Sequence, residues 1–206
     1  FFTYLPRKDS LIRTQNTHAA RPFSDYWGNK DREITGPPIV SPDRHFSAYC
    51  RDFNVWIKDL TTQTETPLTQ DGQAAGYYSA RIKWSPDGKK LLTSKITPAD
   101  QRYLYLIESS PKDQLQPKLH QYEYSKPGDS LPVRHPCVID IVTKRLVLPS
   151  TALFPHPYAI EKLAWSADGQ TITFEYNQRG HQVYRLLEMD ATTGLIRPLI
   201  EETSDT

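Results

Sequence analysis

Apolar and polar positions alternate along this chain in short bursts, and each burst ends at a turn. Phe46, Ala48 and Cys50 alternate with Ser47, Tyr49 and Arg51, the period of two that marks a strand with one buried face. Within Asn54–Leu60, Val55 and Ile57 stand on one side and Trp56 on the other. Pro38–Ser41 precedes this pair across the turn Pro42-Asp43-Arg44, and Thr64–Thr69 follows it across Thr61-Thr62-Gln63. Four short antiparallel strands in about 35 residues match the size of one propeller blade.

The same order of turns recurs. Ile39-Val40-Ser41-Pro42-Asp43 is matched by Lys83-Trp84-Ser85-Pro86-Asp87-Gly88 and by Ala164-Trp165-Ser166-Ala167-Asp168-Gly169. Each is followed by a second Asp-centred turn, at Asp59-Leu60-Thr61-Thr62, Asp140-Ile141-Val142-Thr143 and Asp190–Gly194. Proline fixes φ and glycine permits positive φ, as a tight hairpin requires. A motif pair repeated in one order predicts one supersecondary unit stacked on copies of itself. Trp84 and Trp165 hold equivalent places and are expected between repeats. The predicted fold is therefore all-β, a partial propeller of three to four four-stranded antiparallel blades. These blades fall at about 38–70, 81–149 and 161–202 within a region 37–206. Residues 1–36 show no sustained period and are read as an N-terminal extension, part of a preceding blade or the donor of a strand to a neighbouring unit. An incomplete ring is expected to leave apolar sheet faces or edges uncovered, and so to self-associate or to be partly compensated by the N-terminal segment.

The middle repeat is interrupted. Leu91–Lys95 forms its second strand, but the best match to a third, Pro136–Ile141, comes some forty residues later. Between them an extended arm, residues 97–135, carries the strand-like run Tyr103–Glu108 and then a polar, proline-punctuated stretch, Ser109–Gly128. In an up-and-down unit the connection from strand two to strand three lies at the same end as the connection between units. The arm and the polar loop Asn177–His181 both occupy that position, so both should decorate one face, where repeat proteins concentrate binding.

Composition narrows the function classes. Twenty-five Lys and Arg against 24 Asp and Glu leave a net charge of +1, which gives no electrostatic case for nucleic acid or an anionic membrane. No run of about 18 apolar residues exists, so no membrane span is predicted. Cys50 and Cys137 lie in strands of different repeats, as two buried free thiols or one disulfide, and no metal-ligand spacing is present. No cofactor motif, Gly-x-Ser-x-Gly or P-loop occurs, so the chain is read as carrying no catalytic set of its own. The opening at Phe1 and the close at Thr206 are read as those of a fragment without a leader.

Several side chains are candidates for binding. Arg179 and His181, around Gly180, can clamp an anion, or they are a solvated turn. Tyr77 and Tyr78 can line a pocket or pack between repeats, and Arg81 follows them. Glu201-Glu202 can hold an amine or simply end a strand.

From Pro38 to Thr206 the chain resembles the N-terminal β-propeller of the dipeptidyl peptidase IV branch of the prolyl oligopeptidase (S9) serine peptidases. The resemblance rests on Ser-Pro-Asp before Ala48-Tyr49, on Asn54–Leu60, Leu68-Thr69-Gln70-Asp71-Gly72 and Trp84–Gly88. It continues through Gln116-Pro117-Lys118, Tyr124–Asp129, Trp165–Gly169, Asp190–Gly194 and Glu202-Thr203-Ser204. It implies a parent serine peptidase whose triad lies C-terminal to the propeller, a peptide substrate, gating of access, an arm (97–135) used in homo-oligomer contacts, and export. Members carry paired glutamates for the substrate's α-amine just before the second of these turns. Gln73–Arg81 holds no acidic residue, so the acids come from elsewhere or the specificity differs. A TolB-like propeller acting as an interaction scaffold is the alternative.

Overall fold

A computed structural model of the chain describes residues 34–205 together with the strands at 2–5 and 10–13. Among these, β1 (Phe2–Leu5) pairs with β2 (Ser10–Arg13). Sheet I follows as β3 (Ile39–Val40), β4 (Phe46–Arg51), β5 (Asn54–Asp59) and β6 (Glu65–Pro67), paired in that order. Sheet II contains β7 (Tyr77–Tyr78), β8 (Lys83–Trp84) and β9 (Lys90–Thr97). The chain then forms the hairpin β10 (Tyr103–Glu108) and β11 (Lys118–Glu123), and returns to sheet II as β12 (Val133–Asp140) and β13 (Leu146–Val147). Sheet III runs β14 (Pro157–Trp165), β15 (Thr171–Gln178), β16 (Val183–Asp190) and β17 (Ile196–Thr203). Within the described residues every pairing is antiparallel.

The three sheets belong to one compact unit, and the hairpins β1–β2 and β10–β11 to a second. The expectation of a strand-donating N-terminal extension falls largely on residues 14–33, outside the described residues.

Sheet II is buried on both faces. Leu91, Cys137 and Ile139 pack with Ala48, Val55, Ile57 and Leu68 of the sheet I side. Their neighbours Leu92 and Val138 point the other way, into Phe154, Ile172, Phe174, Leu187 and Met189 of the sheet III side. Two adjacent leucines on β9 thus serve two cores, as a period-two strand allows. Each fully enclosed Leu, Ile or Phe contributes roughly 1.5–3 kcal/mol.

The turns repeat atom for atom. Ser41, Ser85 and Ser166 donate through Oγ to Asp43, Asp87 and Asp168 at 2.5, 2.6 and 2.6 Å. Each of those carboxylates also accepts the backbone N–H two residues on, from His45, Lys89 and Gln170. Position four of the turn has positive φ in all three: Gly88 at 70°, Gly169 at 69°, and Arg44 at 62° where no glycine is available. The turns also stack, so that a Cβ on Gly88 would lie 3.7 Å from Pro42 Cδ and one on Gly169 3.2 Å from Pro86 Cδ. The second turns are equally regular, with Asp59, Asp140 and Asp190 each accepting two successive backbone N–H groups.

Indoles tie sheet to sheet. Trp84 Nε1 donates to the Ile39 carbonyl at 2.8 Å, and Trp165 Nε1 to the Lys83 carbonyl at 3.2 Å. Ile39 and Lys83 occupy the same place in their turns, so each sheet grips its predecessor at the equivalent atom.

Candidate functional site

The loops that sequence places at one end do meet there. The Arg179 guanidinium donates to the Asp129 carbonyl at 2.7 Å, and the Arg179 N–H to the His156 carbonyl at 3.0 Å. Asp129 also accepts from the Lys126 N–H at 2.7 Å and lies 3.8 Å from Arg102. His181 donates through Nδ1 to Asn177 Oδ1 at 3.1 Å and sets its ring edge-on to Tyr158, with centroids 4.5 Å apart. Arg179 therefore holds the polar turn against the residues that precede β12, while His181 packs the turn on Tyr158 of β14.

Tyr77 and Tyr78 lie elsewhere, in β7, where both are buried. The Tyr78 hydroxyl donates to Asp71 at 2.9 Å, and the Lys95 ammonium pairs with the same carboxylate. Burial would raise the Asp71 carboxyl, but Lys95 and Tyr78 outweigh it and hold it below the usual carboxylate range. Gln73 and Gly76 close a tight reverse turn through reciprocal backbone hydrogen bonds of 2.9 Å. Among the described residues, the aspartate bonded to this segment, Asp71, is already engaged by Lys95. Glu201 on β17 pairs across the sheet with Arg185 on β16 at 2.6 Å.

Cys50 and Cys137 are free thiols in the core between sheets I and II. Burial pushes both thiols up to about 12, so neither supplies a thiolate nucleophile near neutral pH.

Arg81 opens on a cleft that sequence reasoning missed. The cleft has a volume of about 600 Å³ and lies between sheet II and β14. Arg81, Lys83, Arg134 and Lys162 line it against one carboxylate, Glu161, with Leu92, Leu131 and Ile160 among its apolar walls. Two bulges shape its β14 wall. One leaves Tyr158 outside the ladder between Pro157 and Ala159, and the other does the same for Lys162 and Leu163 between Glu161 and Ala164. Lys162 takes φ of +52° there, a conformation unusual for a non-glycine residue and a mark of local constraint. The Lys83 ammonium crosses to the Leu163 carbonyl at 2.6 Å. Bulges leave no signature in apolar periodicity, so only the cations are visible in sequence, and they are far apart there.

Comparison with solved structures fits the stacked sheets. The chain is similar to dipeptidyl peptidase 4 of Porphyromonas gingivalis, with a TM-score of 0.61, 16% identity, and coverage of 82% of this chain and 26% of that one. It is also similar to a putative dipeptidyl aminopeptidase IV from Bacteroides ovatus, with a TM-score of 0.61, 14% identity, and coverage of 84% and 24%. The chain spans about a quarter of the length of each. At these identities the likeness shows the shared fold. The family described as the dipeptidyl peptidase IV (DPP IV) N-terminal region matches residues 10–206. With its three stacked antiparallel sheets and this match over nearly all of its length, the chain belongs to the dipeptidyl peptidase IV N-terminal region family.

Proposed function

We propose that this chain is the part of a dipeptidyl peptidase IV-like serine peptidase that governs peptide access and holds two copies together, hydrolysis being performed by residues outside it. The observation that carries the reading is the hairpin β10–β11, the extended arm of the family resemblance. Tyr105, Ile107 and Leu119 share one of its faces in register, with Ile107 71% and Leu119 65% exposed. Its other face presents Leu104 and Leu106 beside the His120–Glu108 pair. Among the described residues each of its strands pairs only with the other. A two-stranded ribbon with large apolar side chains open on both faces and such strand edges is an association surface.

Ile107→Lys with Leu119→Lys tests the dimer without touching a core. Sedimentation velocity should show the dimer weakened about tenfold or more, whereas an unchanged mass distribution overturns the dimer role. For peptide access, the 206-residue chain should leave a Gly-Pro chromogenic amide intact, and the longer protein should cleave it. Turnover by the short chain alone, or a longer protein without a Gly-x-Ser-x-Gly segment, refutes the peptidase reading.

A further inference from the structure

We infer that the cleft between sheet II and β14 binds acidic peptide segments in extended conformation, which names a substrate class and rests on the peptide-access reading for its biological occupant. Four cations face it against one carboxylate. Lys162 is paired with Glu175 at 2.8 Å and Lys83 with the Leu163 carbonyl, so these two also brace the wall. Arg81 and Arg134 also have interactions within the chain, and each brings a planar fork of several donors, suited to carboxylates. The apolar walls lower the local dielectric and concentrate the positive potential of the cleft.

Backbone geometry specifies a peptide rather than a small anion. Among the described residues β14 pairs only with β15, and its residues Pro157–Leu163 line the cleft. An extended ligand can add to that edge by main-chain hydrogen bonds, with alternate side chains directed to one wall. The bulges turn Tyr158 and Lys162 out of the ladder along this stretch, and re-aiming a side chain is what bulges do beside binding sites. Same-side residues of an extended peptide recur about every 6–7 Å, so acidic residues at every second position would meet the cations in turn. A volume of about 600 Å³ falls within the range of known ligand cavities. The charge is opposite to what a free α-amine needs, in keeping with a Gln73–Arg81 loop that carries no acid.

The test is fluorescence anisotropy of the 206-residue chain with a fluorescein-labelled hexapeptide alternating Glu and Val, against the same peptide with Lys for Glu. The Glu peptide should bind about tenfold or more tightly than the Lys peptide, and added salt should weaken it. The double variant Arg81→Glu, Arg134→Glu should lose about tenfold in affinity, while Arg134→Lys keeps most of it. The wild-type salt series needs no variant and stands even if the double variant fails to fold. Equal affinity for the two peptides, indifference to salt, or a folded double variant that binds normally overturns the inference. Succinate competing as well as the peptide overturns its extended-peptide part. The Ile107→Lys, Leu119→Lys hairpin variant should bind the Glu peptide as wild type does, so failure of dimerisation and failure of the cleft are read separately.

Discussion

Gly72 shows how a single residue type is dictated by its surroundings. Its N–H donates to Asn54 Oδ1 at 2.9 Å, and a Cβ there would fall on the Phe53 carbonyl. Thr69 Oγ1 donates to the same Asn54 oxygen and accepts from the Val55 N–H. The Leu68–Gly72 motif is thus a bracket on β5, and Gly72→Ala should cost roughly 1–3 kcal/mol in urea-unfolding free energy. The aspartates of the turns make a second case. Asp87 is held below the usual carboxylate range first by the Ser85 hydroxyl and then by the Lys89 N–H, and Asp43 and Asp168 likewise by Ser41 and Ser166. Asp59 and Asp190 are lowered chiefly by the backbone N–H groups of Thr62 and Thr193. Unfolding therefore takes up protons, and this stabilisation is present above the ordinary aspartate pKa and lost as pH falls through the depressed values. Urea midpoints should drop below about pH 4, and an Asp43, Asp87, Asp168 triple Asn variant should flatten that slope. Asp87→Ala should cost about 1 kcal/mol, more than Asp87→Asn, whose oxygen still accepts both bonds. These turns are plain in sequence because Ser, Pro, Asp and Gly each act locally.

Strands whose apolar period has one face, such as β4 and β5, are equally legible. Others are not. The first strand of sheet II is split, β7 pairing with Ile96 and Lys95 and β8 with Leu92 and Leu91 of the same partner; two-residue strands are too short to show a period. β11 lies inside a stretch that reads as polar because Lys118, His120 and Gln121 break the apolar pattern, and it is specified by its partner across the hairpin. The bulges of β14 are invisible for the reason that makes them useful, since an extra residue shifts the pleat without changing composition. The inter-repeat role of the tryptophans is legible from their equivalent positions, whereas the acceptor carbonyls are not. Trp84→Phe should cost about 1 kcal/mol in thermal or urea unfolding. Trp165→Phe should cost less, because its bond is longer at 3.2 Å and open to solvent.

Across the molecule, burial is unequal between sheets. Sheet II has apolar packing on both faces, so amides of β9 and β12 should show the slowest hydrogen exchange. Those of β17, bonded on one edge only among the described residues, should exchange faster. Equal protection of β12 and β17 would contradict this. The far face of sheet III is mixed in character, with Ile200 53% exposed. Thr173, Glu188 and Arg197 share that face in register, as do Glu175, Leu186 and Ile200, and Glu188 is paired with Arg197 at 2.7 Å. Polar residues at the strand centres are present in sequence, but which face they take depends on register. The indole bonds carry one more meaning. Each runs from a later sheet to a finished earlier one, never forward, so the order of fastening coincides with the order in which a ribosome delivers the chain. A nascent repeat finds its anchor already built, and losing a later repeat would leave every earlier anchorage whole.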